Sequence, residues 1–303
     1  MLPCKKIYVD THFKTLDSIS NSQFKIELPE TTTLPNNTIF YIDNIAIPHS
    51  WYTIEQNLND RLYVQVSAVE PDPLLKPNHC KIVQLSPGHY NLAQLATEIV
   101  DRVNVDFAVI YPQPILTATT DSTTNTMKFF VASQYGTLEI KFLTNADLAN
   151  GMTDLDQSGS GGWDGSWTGP VYNSSNPLDI NDILNFQQER GSFFTNVLSL
   201  QTGYIDLQPI KNVYMYSPNL GTFTTIGPNK ERSIIKKIPV SASNNQMIFD
   251  NVTSSSDYLD CSRQTLKTLE FQLKDVHGNI IPLHSSHVSF SIVFEKYIDP
   301  VSE

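Results

Sequence analysis

The chain has 303 residues, of which 40% are hydrophobic and 17% charged, a composition that buries a core and is not that of a disordered polymer. Its 20 Lys and Arg stand against 31 Asp and Glu for a net charge of −11. That balance argues against nucleic acid or an anionic membrane surface as the main partner, because both need clustered positive charge. Residues 1–20, with Lys5, Lys6 and Lys14 and little apolar pattern, read as an N-terminal arm that orders on binding a neighbour. Strand patterns follow. Phe24, Ile26 and Leu28 alternate with Lys25 and Glu27, which puts three apolar side chains on one sheet face. Thr38 to Ile47 is a β-rich run closed by Pro48, and Leu62, Val64 and Val66 alternate with Tyr63 and Gln65.

The middle of the chain differs. Ser86-Pro-Gly-His-Tyr90 is a turn, and Asn91 opens an amphipathic helix: Leu92, Leu95, Ala96, Ile99, Val100 and Val103 form one apolar stripe. Asn91 is placed to cap it, with Gln94 at the reciprocal position of a capping box. Strands are predicted at Phe107–Tyr111, Ile115–Thr120, Met127–Ala132 and Leu138–Phe142. Gly151 to Pro177 is rich in Gly, Ser, Asp and Asn, so it reads as a long loop. Strands resume at Val213–Tyr216 and Ile234–Val240. Two clear alternations then close the chain, through Leu269, Phe271 and Leu273 and through Val288, Phe290, Ile292 and Phe294. Between them, Asp275-Val-His-Gly-Asn279 is a turn in which Gly278 is available for positive φ. Half-buried strands without a βαβ rhythm indicate an all-β antiparallel sandwich interrupted by an insertion. The chain is expected to depart near residue 75, among Pro71, Pro73 and Pro77, and to return near residue 205.

Signs of chemistry are few. Cys4, Cys80 and Cys261 form no Cys-x-x-Cys pair, so neither a disulfide framework nor a structural zinc site is expected. His284 and His287 sit three apart at the start of a strand and should face opposite ways, and adjacent His79 and Cys80 should diverge too; no metal site and no nucleophile pair is assigned. Asp154-Leu-Asp-Gln-Ser-Gly159 matches the first half of a calcium loop, but Gly165 stands where the bidentate Glu belongs. It reads as a solvated loop, with ion binding at Asp154 and Asp156 left open. No phosphate-binding, dinucleotide-binding, nucleophile-elbow or zinc-helix motif occurs, so no cofactor and no enzymatic activity is expected. Paired carboxylates have no fixed spacing, which keeps a β-sandwich hydrolase as an alternative. Trp163, Trp167 and Tyr172 are candidates for stacking on a sugar or a partner, and a glycan- or receptor-binding module acting through the insertion is a second alternative. The sequons at Asn36, Asn173 and Asn251 read as chance matches. The N-terminus lacks the apolar run of a signal peptide, and no stretch approaches the ~20 apolar residues of a membrane span. A soluble protein of a reducing compartment is expected.

Several stretches, taken in order, resemble a known family. They are Phe24-Lys-Ile-Glu-Leu-Pro29, Ile45-Ala-Ile-Pro-His-Ser-Trp-Tyr52, Leu85-Ser-Pro-Gly-His-Tyr-Asn-Leu92 running into a helix, and Ile234-Ile-Lys-Lys-Ile-Pro-Val240. Leu269–Gly278 and Val288–Phe294 complete the order. The pattern is similar to the penton, or minor capsid, proteins of virophages and polinton-like viruses. The resemblance implies a single jelly roll made of residues 21–75 and 205–303, an insertion domain at 76–204, and an arm at 1–20. It further implies homopentamers at the fivefold vertices of an icosahedral virion assembled inside the host cell, in the cytoplasm. The implied partners are further copies of the chain, neighbouring major capsid protein trimers and a host-surface receptor.

Overall fold

A computed structural model describes residues 5–68, 78–143, 180–185, 194–220, 224–228, 230–251, 254 and 257–297. The chain divides into two compact units, Met1–Trp51 with Ile210–Glu303, and Tyr52–Pro209. Strands β1 (Lys6–Asp10), β2 (Gln23–Thr33) and β3 (Thr38–Pro48) belong to the first unit. The second holds β4 (Arg61–Ala68), β5 (Asn78–Gln84), helix α1 (Leu92–Phe107), β6 (Leu116–Asp121), β7 (Thr126–Val131), β8 (Leu138–Phe142), the short helix α2 (Asn181–Leu184) and β9 (Leu200–Gln201). The chain then re-enters the first unit with β10 (Asn212–Tyr216), β11 (Ile234–Pro239), β12 (Met247–Asp250), β13 (Leu259–Asp260), β14 (Thr265–Lys274) and β15 (Ser289–Lys296).

The first unit is a jelly roll. One sheet runs β1-β15-β3-β12, with β13 also paired to β3, and the other runs β11-β10-β14-β2; all pairings are antiparallel. With the two-residue β13 set aside, every connection between the eight other strands changes sheet except the β10–β11 hairpin, the interleaving that defines this architecture. The insertion occupies the crossing from β3 to β10. Inward residues of both sheets share one core, including Phe24, Phe40, Phe271, Phe290 and Phe294, with Trp51 at its end. In β3 the inward positions change phase, from Phe40 and Ile42 to Ile45 and Ile47. The extra residue is Asp43: Ser291 faces Asn44 while Ile292 faces Ile42, a β-bulge that keeps both halves of the strand apolar-inward.

The second unit has its own core. Sheet β5-β4-β8 and sheet β6-β7-β9 are both antiparallel, and α1 packs on β5, β6 and β7. The helix is capped as its sequence predicts: Asn91 Oδ1 accepts from Gln94 N at 2.9 Å, and Gln94 Oε1 accepts from Asn91 N at 3.0 Å.

Three expectations are corrected. Arg61–Ala68 does not belong to the jelly roll, because it pairs with β5 and β8; the chain leaves the sandwich at Tyr52 rather than near residue 75, and the returning piece begins at Ile210. Phe107–Tyr111 is not a strand. Phe107 lies one turn beyond Val103, extends the buried stripe and ends the helix, and Ile110 N and Tyr111 N both donate to its carbonyl. Finally, the segment 1–20 is not a loose arm over its described length: Lys6–Asp10 is the edge strand β1, in register with Asp10 opposite Ser289 and Lys6 opposite Val293.

Candidate functional site

Strands β1 and β2 are the edge strands of the two facing sheets, and a groove of about 500 Å³ opens beside them. Alternation builds it. Val9 points into the core and Ile7 packs against it, whereas Tyr8 on the other face of β1 is exposed. Ile26 and Leu28 of β2, Phe290 of β15 and Phe13 complete the apolar lining. Tyr8 and Phe13 of that lining are largely exposed, as are Leu16 and Ile19 further along the same segment, each at least 76%. Four large apolar side chains exposed within twelve residues are a feature of the kind that marks an interaction surface.

The segment that carries them is fixed, not loose. Thr15 N donates to Lys25 O (2.9 Å), Ile19 N to Gln23 O (3.1 Å) and Ser20 N to Gln23 O (3.0 Å). Asn21 Nδ2 donates to the carbonyls of Ser285 and Ser286 at 3.0 and 2.9 Å. Of the three lysines assigned to an arm, Lys14 donates to Asn21 Oδ1 at 2.6 Å, and Lys6 is paired with Asp43, the bulge residue of β3. Lys5 is exposed, and its carbonyl accepts from Phe294 N at 2.9 Å. At the end of β1, Asp10 Oδ1 accepts from His12 N at 2.9 Å and lies 2.7 Å from His12 Nδ1. The backbone N–H of His12 is the main influence holding the Asp10 carboxyl below its ordinary range.

Trp163, Trp167, Tyr172, Asp154 and Asp156 lie outside the described residues. Cys80 is fully buried beside His79, and burial pushes its thiol up to about 11, the opposite of the low value a nucleophilic cysteine needs. Burial likewise pushes Cys261 up to about 12. His287, which the sequence sets three residues from His284, has its Nδ1 3.2 Å from Thr11 Oγ1, across 276 residues of chain. The exposed apolar edge was missed. Its signal is the spacing of Tyr8, Phe13, Leu16 and Ile19, which fits no buried face.

No family model matches the chain, and no curated protein does. Among solved structures the chain is similar to the mavirus penton protein, in selenomethionine-labelled form. The likeness covers 97% of this chain and 100% of that one, with a TM-score of 0.48 and 11% sequence identity. No residue role transfers at that level.

Proposed function

We propose that the chain is a structural, non-enzymatic shell protein whose jelly roll associates with further copies of itself, forming homopentamers at the fivefold vertices of an icosahedral virion. The observation that carries this reading is the apolar groove beside β1 and β2, lined by the exposed Tyr8 and Phe13, on a segment that also exposes Leu16 and Ile19. Fivefold closure is a heterologous ring, in which each subunit offers two different surfaces. A jelly roll suits that role because its inner faces are filled by its own side chains while its edges stay available. The ordered set of sequence stretches that resembles virophage and polinton-like pentons, with a length and layout similar to that of mavirus, supports the same reading. Neighbouring major capsid protein trimers are the proposed heterologous partners, with assembly in the host cytoplasm. The described residues contain no helix long and apolar enough to cross a membrane.

Sedimentation and negative-stain imaging test the reading. The wild-type protein, alone or with capsid protein, is expected to form five-membered rings. Phe13→Asp combined with Leu16→Asp should leave single, folded subunits, since both side chains are exposed. A wild type that stays monomeric in both settings, or rings that persist in the double variant, would count against it.

A further inference from the structure

We propose that Asp10, His12 and His287 form a binding site for a divalent transition-metal ion, with zinc as the reference case, that clamps the N-terminal edge strand to the C-terminal strand. This goes beyond the capsid reading and does not depend on it.

Topology makes the juxtaposition. The β1–β15 ladder sets Asp10 opposite Ser289, and one step further Thr11 N donates to Val288 O at 3.0 Å while Val288 N donates to Thr11 Oγ1 at 3.0 Å. Thr11 is wholly buried, so the exit of β1 and the entry of β15 are held together. His12 and His287 therefore emerge side by side, with ring centroids 3.4 Å apart and planes inclined by 15°. One potential ligand atom from each of Asp10, His12 and His287 lies within 4.8 Å of the others.

The donor set selects the ion. Two imidazoles and one carboxylate suit zinc and its neighbours in the first transition row, whereas calcium and magnesium take oxygen ligands almost exclusively. The surrounding contacts also resemble those of a metal site. His12 Nδ1 lies 2.7 Å from Asp10 Oδ1, and His287 Nδ1 lies 3.2 Å from Thr11 Oγ1. With the proton of each ring on Nδ1 and donated to that oxygen, the Nε2 lone pair of each is left for a metal. This is the outer-shell arrangement that fixes the tautomer of ligating histidines. Asp10 serves either as the orienting group or, through its other oxygen, as the third ligand, and water completes the shell. A metal must lie in the plane of each imidazole it binds, and two stacked rings share no such point. Binding therefore swings His12, whose side chain is 58% exposed, out of the stack while His287 stays on Thr11.

The test uses the full-length protein, stripped with chelator and titrated with zinc chloride by calorimetry and thermal melting, with cobalt(II) as a spectroscopic probe. One saturable equivalent is expected, with a melting temperature that rises as zinc is added, because an ion that binds only the folded state stabilises it. Calcium should produce no shift. His12→Gln and His287→Gln should each weaken zinc binding at least tenfold and abolish the tetrahedral cobalt spectrum, while His284→Gln, outside the cluster, should bind as wild type. Both tested side chains reach solvent, and an unchanged metal-free melting temperature will certify that each variant is folded. Zinc binding that survives both substitutions, or its absence in the wild type, would overturn the proposal.

Discussion

At the scale of single residues, a few positions hold conformations or partners that a substitution cannot replace. Gly278 has φ of 86° in the turn after β14, where its N–H donates to Asp275 O at 3.2 Å and Asp275 Oδ1 accepts from the N–H groups of His277 and Asn279. Gly278→Ala should cost about 1 kcal/mol, since a Cβ disfavours that backbone region; chemical denaturation measures it. Lys236 on β11 and Asp250 on β12 meet at 3.6 Å with side chains only 4% and 11% exposed. They join the two sheets at the edges remote from β1 and β2. Breaking so buried a pair is costly, so Asp250→Ala should lose about 3 kcal/mol, and the apolar pair Lys236→Met with Asp250→Leu should recover much of that loss. The two buried thiols have a signed pH consequence. Their folded values of about 11 and about 12 exceed the ordinary 9.0, so the folded state prefers the protonated form. Their stabilisation is complete below pH 9 and is lost as pH rises toward 11 and 12. At pH 8, Cys80 and Cys261 should react with a thiol reagent only as fast as the protein opens.

At the scale of elements, local and non-local determinants separate cleanly. Helix α1 carries its own instructions: a capping box at Asn91 and Gln94 and a stripe running to Phe107. Asn91→Ala should cost about 1 kcal/mol, read as a lower unfolding midpoint. Strand β1 has no such autonomy. Its five residues place only Ile7 and Val9 inward, and its partner lies at the other end of the chain. Deleting residues 1–10 should bare β15 as a sheet edge and uncover Phe290, giving a less stable protein that scatters light on concentration. The same strand explains why Lys5, Lys6 and Lys14 looked like an arm in the sequence: short edge strands with exposed alternate residues have the composition of a terminus.

At the scale of the whole molecule, two separate cores lie in one chain, one built from the two ends and one from the middle. Calorimetry should resolve two transitions. Phe271→Ala should lower one, by about 4 kcal/mol, and Phe129→Ala the other, because each ring is fully buried in a different core. The period-two patterns of β2, β14 and β15, the turn at Gly278 and the capped helix were all legible in the sequence, since each depends on neighbours a few residues away. So was the existence of an insertion. The partner of a strand was not legible: Leu62, Val64 and Val66 announce a buried face without saying in which core. The meeting of His12 with His287, the pairing of Lys6 with Asp43 and the apolar rim around the β1–β2 groove were likewise decided only by tertiary structure. Alternation fixes which side of a strand faces inward, whereas the residues that share an edge are chosen by the order in which strands far apart along the chain come to lie side by side.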